Sequence, residues 1–209
     1  MTEMISRDAF CLVISAPSGA GKTSVARAVV AQEEDLRLSV SITTRAIRPA
    51  ETDGVDYHFR AQAGFDAIAA QGGFLEHAGV FGRSYGSPRA PVQAWLDGGH
   101  DVVFDIDWQG HRQVREALPG RVVGLFILPP SRAILADRLA GRGDAAEAIA
   151  KRMSHADDEM SHAGEFDHVV VNDDFNVTVA AVRAVVRAAR LARGRLGGLE
   201  AFLAEVMRR

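Results

Sequence analysis

The 209-residue chain contains a single cysteine, Cys11, only two lysines, Lys22 and Lys151, and only two tyrosines, Tyr57 and Tyr85. One cysteine excludes an internal disulfide framework and a cysteine-based zinc site. Its place in the apolar run 9–14 predicts a buried thiol that packs as a small hydrophobe. No run approaches the roughly 18 apolar residues that a membrane span needs. The first residues include Glu3, Arg7 and Asp8, and the apolar run behind them stops at Ser15, too short for a signal segment. The expected location is the cytoplasm. A net charge of -3 supplies no cationic excess, so neither nucleic acid nor a membrane is expected as a partner. A homo-oligomer is compatible with this composition. The seven histidines show no metal-ligand spacing, and His155 and His162 read as exposed helix residues. Arg183, Arg187 and Arg190 form a helical stripe beside Val182, Val185, Val186 and Leu191. That stripe is expected to be the wet face of a helix packed on the core.

What is present is apolar and well punctuated. Hydrophobic residues make up 47% and charged ones 24%, enough for a sizeable core in one compact α/β unit. Continuous apolar runs at 10–15, 101–106, 122–128 and 168–172 read as buried strands. Helical spacing separates them at 23–32, 134–140, 145–160 and 177–193. Strands alternating with helices predict a mostly parallel sheet covered on both faces. The stretch 39–96 breaks this rhythm, with short extended pieces such as 56–60, and reads as an inserted α+β subdomain. The arginine-rich stretch 133–164 reads as a helical, mobile lid. The core is then 9–38, 97–132 and 165–209.

The first strand runs into Ala16, Pro17, Ser18, Gly19, Ala20, Gly21, Lys22 and Thr23, a P-loop with alanine in place of its first glycine. The glycines let successive backbone N–H groups curl around phosphate oxygens at a helix N-terminus. Lys22 is placed to reach the β- and γ-phosphates, and the Thr23 hydroxyl to bind Mg²⁺. Val102, Val103 and Phe104 deliver Asp105 to the C-terminal end of the second strand, near the P-loop, where it would act on the same metal. This part predicts a P-loop NTPase-type core that binds ATP, and leaves the acceptor open.

Further blocks narrow that choice. They are 41–49 (SITTRAIRP), 54–59 (GVDYHF), 74–78 (FLEHA), 85–87 (YGS), 105–110 (DIDWQG), 126–131 (FILPPS), 138–143 (RLAGRG) and 171–174 (VNDD). In this order the sequence resembles guanylate kinase over nearly its whole length. The resemblance implies a P-loop core, a GMP-binding subdomain and a lid. It implies transfer of the γ-phosphoryl group of Mg-ATP to GMP or dGMP. Ser41, Glu76 and Asp107 match the guanine-binding positions, with Ser87 as a further candidate contact. Arg45, Arg48, Tyr57 and Tyr85 match positions that hold the GMP phosphate. Arg138, Arg142 and Arg152 match lid and transfer-site arginines, and Asn172 a residue near the ATP base.

The chemistry of these residues agrees with the resemblance. Guanine offers two adjacent donors, N1–H and N2–H₂, which a carboxylate such as Glu76 matches with two acceptors. Arg45 and Arg48, three apart before Pro49, can grip one dianion. No general base is required, because a phosphate with a second pKa near 6 is already ionised at neutral pH. Two rivals are weaker. A sugar-phosphate kinase would have no use for base-reading residues, and a non-catalytic scaffold module would not need Lys22 and Thr23.

Overall fold

A computed structural model describes residues 5–80, 82–141 and 146–208. From the start of the chain, β1 (Ser6–Arg7) and β2 (Cys11–Ser15) lead into α1 (Lys22–Gln32), β3 (Leu36–Leu38), β4 (Ile42–Thr43) and β5 (His58–Phe59). Next come α2 (Gln62–Ala70), β6 (Phe74–Val80), β7 (Arg83–Pro88), α3 (Arg89–Asp97) and β8 (Asp101–Asp105). They are followed by α4 (Trp108–Ala117), β9 (Val122–Leu128), α5 (Arg132–Ala140) and α6 (Ala146–Ser161). The last elements are β10 (His168–Val171), α7 (Phe175–Arg190), β11 (Leu196–Gly197) and α8 (Leu199–Val206).

Five parallel strands in the order β10-β9-β2-β8-β3 form the central sheet. The apolar runs pack on both faces, as buried parallel strands require. Leu12 and Ile14 face one layer with Val25 and Val29 of α1 and Val179, Val182 and Val186 of α7. Cys11 and Val13 face the other, with Val92 and Leu96 of α3, Val114 of α4, Phe104 and Phe126. Each such fully buried side chain contributes about 1.5–3 kcal/mol. Cys11 is fully buried, and burial pushes its thiol up to about 12. β2 lies between β8 and β9: the connection from β2 runs to β3 on one side, and that from β8 crosses β2 to β9 on the other. Ligands of open α/β sheets bind at the carboxyl ends of strands at such a point.

A second, four-stranded sheet, β5-β4-β7-β6, occupies the stretch that broke the strand–helix rhythm. Only β4 and β5 run parallel. The β6–β7 ladder slips between Phe74 and Glu76, and Phe74, Leu75 and Glu76 are all buried. A regular strand would send neighbouring side chains to opposite faces, and a bulge re-aims one of them. Leu75 joins the main core, while Phe74 packs with Ile42 and Phe65 inside the smaller unit.

Two sequence expectations need correction. Arg183, Arg187 and Arg190 do not simply face water: all three engage Glu33, whose side chain is 4% exposed, and Arg190 also bonds Asp101 at 2.8 Å. Burial opposes ionisation of Glu33, but hydrogen bonds from Arg183 and Arg187 outweigh it and hold the carboxyl below its usual range. A buried carboxylate needs such partners. His162 is half-buried rather than exposed, stacked on Trp108 at 3.6 Å and bonded to Glu165 at 2.7 Å. His155 is exposed, as expected.

Candidate active site

The loop between β2 and α1 has two glycines in the left-handed region, Gly19 and Gly21, both at φ 97°. A Cβ on Gly21 would lie 2.5 Å from Asn172 Nδ2, so this glycine is fixed by both space and backbone. Ala16 has no such demand, since Asp35 is the only described non-glycine residue with positive φ, which explains why alanine serves there. Asn172 is buried and donates its Nδ2 to the Ala20 carbonyl at 2.7 Å. It thus ties the phosphate loop to the end of β10, acting from behind the loop.

Lys22 opens α1 and lies 3.1 Å from Asp105 Oδ1, at the end of β8. Burial opposes the lysine's charge, yet Asp105 more than compensates and raises its pKa. Thr23 Oγ1 donates to Asp105 Oδ2 at 2.5 Å. Asp105 Oδ1 is buried and lacks a hydrogen bond of good geometry. A carboxylate and a hydroxyl side by side, Asp105 and Thr23, are oxygen donors of the kind a hard cation prefers. Among the described residues no three His, Cys, Asp or Glu side chains gather as a metal cage.

On the second sheet, Glu76 sits at 4% exposure on the bulge of β6. Ser87 of β7 donates to Glu76 Oε1 at 2.7 Å, and Ser41 lies 3.4 Å from Ser87, hydroxyl to hydroxyl. The carboxyl is pushed up to about 7, by burial first, partly offset by Ser87, with Asp107 adding repulsion. Asp107 caps α4 by accepting from Gly110 N at 2.9 Å. A Cβ on Gly110 would lie 3.0 Å from Glu76 Oε2, so the helix meets the carboxylate at a glycine. The structure therefore brings Ser41, Glu76, Ser87 and Asp107 to one place, beside Lys22, which acts electrostatically on Glu76.

The second group is assembled around a residue that sequence reasoning missed. Glu51 Oε1 accepts from Arg45 Nη2 at 2.7 Å, and its other oxygen accepts from the Arg48 backbone N–H at 2.9 Å. The Arg45 guanidinium lies 5.4 Å from the Tyr57 ring centroid and 5.6 Å from that of Phe59. Tyr57 and Tyr85 meet edge to face at 5.9 Å. Burial, then the Asp105 charge, raises the Tyr57 hydroxyl's pKa. Arg48 is exposed, and the two arginines share Glu51 rather than a side-chain contact. Asp56, next to Tyr57, pairs with Arg27 of α1 at 2.5 Å.

The third group is on α5 and α6. Arg138 Nη2 donates to the Asn172 carbonyl at 3.0 Å, and Arg152 is half-buried on α6. Arg142 lies outside the described residues. Glu159, also missed from sequence, accepts from the Ser18 N–H of the phosphate loop at 3.2 Å. Glu51 and Glu159 carry no sequence signal, because a glutamate in a loop or helix reads as solvated. Gly110 had one: a glycine in the first turn of an α-helix usually has a packing reason.

Comparison with known proteins agrees with this geometry. The guanylate kinase family model matches residues 9–189. The chain is 56% identical over 197 residues to the guanylate kinase of Granulibacter bethesdensis, covering 94% of this chain and 92% of the relative. It is 54% identical to that of Gluconobacter oxydans over the full length of both. A crystal structure of guanylate kinase from Anaplasma phagocytophilum superposes with a TM-score of 0.83 at 34% identity, covering 96% of each chain. A family model matched over most of the chain and relatives more than half identical over nearly its full length show that the chain belongs to the guanylate kinase family.

Proposed function

We propose that this chain transfers the γ-phosphoryl group of ATP to GMP or dGMP, giving ADP and the nucleoside diphosphate, with the residues above in the following roles. An oxygen of the acceptor phosphate attacks the γ-phosphorus, and the bond to the β-phosphate oxygen breaks. The phosphate loop, residues 16–23, holds the triphosphate, with Lys22 against its β/γ end. Asn172 keeps the loop in shape near the adenine side. Glu76 and Asp107 read the guanine edge, with Ser41 and Ser87 orienting Glu76. Arg45, Arg48, Tyr57 and Tyr85 hold the acceptor phosphate. Arg138, Arg142 and Arg152 neutralise charge on the transferring group. Thr23 and Asp105 would hold Mg²⁺, which would neutralise negative charge on the triphosphate. Catalysis then consists of positioning and electrostatics. The cytoplasm, where these nucleotides turn over, is the proposed location.

The observation that carries this reading is the buried Glu76–Ser87–Ser41 chain, with Lys22 of the phosphate loop among the charges that act on Glu76. Adenine presents a lone pair where guanine presents N1–H, so AMP would leave the carboxylate unsatisfied. A coupled ADP-release assay with GMP, dGMP, AMP, CMP and UMP tests the reading. GMP is expected to exceed AMP by roughly a hundredfold or more in kcat/KM. Comparable turnover of AMP and GMP would overturn the acceptor assignment.

A further inference from the structure

Glu159 sits near the end of the 16-residue helix α6 and is half-buried, with one carboxylate oxygen on the Ser18 N–H at 3.2 Å. Lys22 of the same loop is among its electrostatic neighbours, and burial raises its carboxyl above the ordinary value. Around it the α5–α6 pair is already seated. Leu135, Leu139 and Ala156 are fully buried together, with Ile149, Met153 and Met160 against them. A Cβ on Gly19 would meet Leu135 and Leu139 at 3.0 Å, so α5 lies directly on the phosphate loop. Apolar packing of this kind fixes how closely the helices approach. It fixes rotation of α6 about its own axis less well, because methionines repack easily. A directional bond from α6 to the loop supplies that missing constraint.

Arg152 precedes Glu159 by seven residues, close to two full turns, so both project from one face about 10 Å apart along the axis. We infer that Glu159 is a positioning residue: by accepting the Ser18 N–H it keys α6 to the phosphate loop and turns Arg152 toward the transferring phosphoryl group. The inference rests on the reading of Arg152 given above. In this role Glu159 never contacts a reacting atom, and its effect passes through Arg152.

A double-mutant cycle of Glu159→Ala and Arg152→Ala tests this, with kcat, both KM values and Tm measured for each variant. Glu159→Ala is expected to lower kcat roughly tenfold with KM for GMP within about twofold, the signature of a lost transition-state contact. In the Arg152→Ala background the same change should cost nothing further, since residues acting as a unit are non-additive. Glu159→Gln, whose amide oxygen still accepts from Ser18 N–H, should recover most of the loss. Additive losses, or a fall in Tm that tracks the fall in kcat, would reduce Glu159 to a packing residue and overturn the inference. Arg152→Ala with wild-type kcat would overturn the assignment of Arg152 as well. An impaired Arg152→Ala beside an unimpaired Glu159→Ala would overturn only the positioning role.

Discussion

Glu76 carries opposite demands in the free and the substrate-bound protein. In the free protein it is buried, and its carboxyl is pushed up to about 7, chiefly by burial. Donors from guanine would favour the ionised form, so GMP binding would release a proton from this site. Affinity for GMP is therefore expected to improve as pH rises from about 6 to 8, more steeply than ionisation of the GMP phosphate alone provides. Glu76→Gln shares the phosphate titration but lacks the carboxyl, so the difference between the two pH profiles isolates Glu76. Parallel profiles would show that the residue does not titrate on binding. Stability runs the other way. The folded-state value lies above the unfolded 4.5, so the proton's stabilisation is complete below about 4.5 and lost as pH rises through about 7. At pH 8 the free Glu76→Gln protein should melt above wild type, and a lower Tm would contradict the burial argument. Glu76 was legible in sequence because a carboxylate in the run 74–78 looked out of place. Glu51 was not, because a glutamate in a polar loop, between Ala50 and Thr52, looks solvated until Arg45 and the Arg48 N–H are seen to close on it.

The longer strands of the parallel sheet announced themselves, and the elements of the inserted unit were legible only in part. β2, β8, β9 and β10 are continuous apolar runs bounded by turn residues, and each falls within about a residue of its expected span. α1, α5, α6 and α7 also follow from helical spacing. β4 has two residues, too few for any periodicity, and exists because β7 and β5 pair with it, whereas β5 falls inside the extended piece expected at 56–60. α4 was missed because its core contact is carried by few apolar side chains: Gly110, His111 and Val114 are its buried residues. Yet α4 brings Asp107 and Gly110 against Glu76. Gly110→Ala tests that placement. Its Cβ would lie 2.9 Å from Ile106 Cδ1, a flexible tip that can yield, and 3.0 Å from Glu76 Oε2, which cannot without leaving Ser87. Alanine is also the better helix former by about 1 kcal/mol. The expected outcome is a preserved fold, a KM for GMP raised roughly tenfold by misplacement of the carboxylate, and an unchanged KM for ATP. Equal increases in both KM values would place the damage in the loop and α4 generally rather than at Glu76.

The molecule as a whole is a parallel-sheet core and a small antiparallel unit that meet on two unlike sides. On one side α4 packs against β6, Leu75 enters the main core, and Gln113 makes two hydrogen bonds with the His77 backbone, at 3.1 and 3.2 Å. Apolar burial and the two-point grip of the Gln113 side chain on the His77 backbone make this side the durable one. On the other side Arg27 of α1 reaches Asp56 at 2.5 Å, and Asp56 also accepts from the Thr52 N–H at 2.7 Å. That ion pair is exposed, with Arg27 at 45%, so salt screens it and it adds little to global stability. Its position gives it another use. It joins the helix that starts at Lys22 to the turn that carries Tyr57, and so spans the cleft proposed between the donor and acceptor sites. Two nucleotides must enter this cleft and water must then be kept out, which one rigid arrangement cannot do. A strong hinge on the α4–β6 side with a weak clasp opposite meets both demands. Arg27→Ala should therefore leave Tm almost unmoved while raising KM for GMP severalfold, because the acceptor side is less often held against α1. Asp56→Ala should match it, and the double variant should be no worse than either single one. High salt should reproduce part of the effect in wild type and little in the variants. A large fall in Tm, or losses that add, would mean that the pair holds the fold together instead of clasping the cleft.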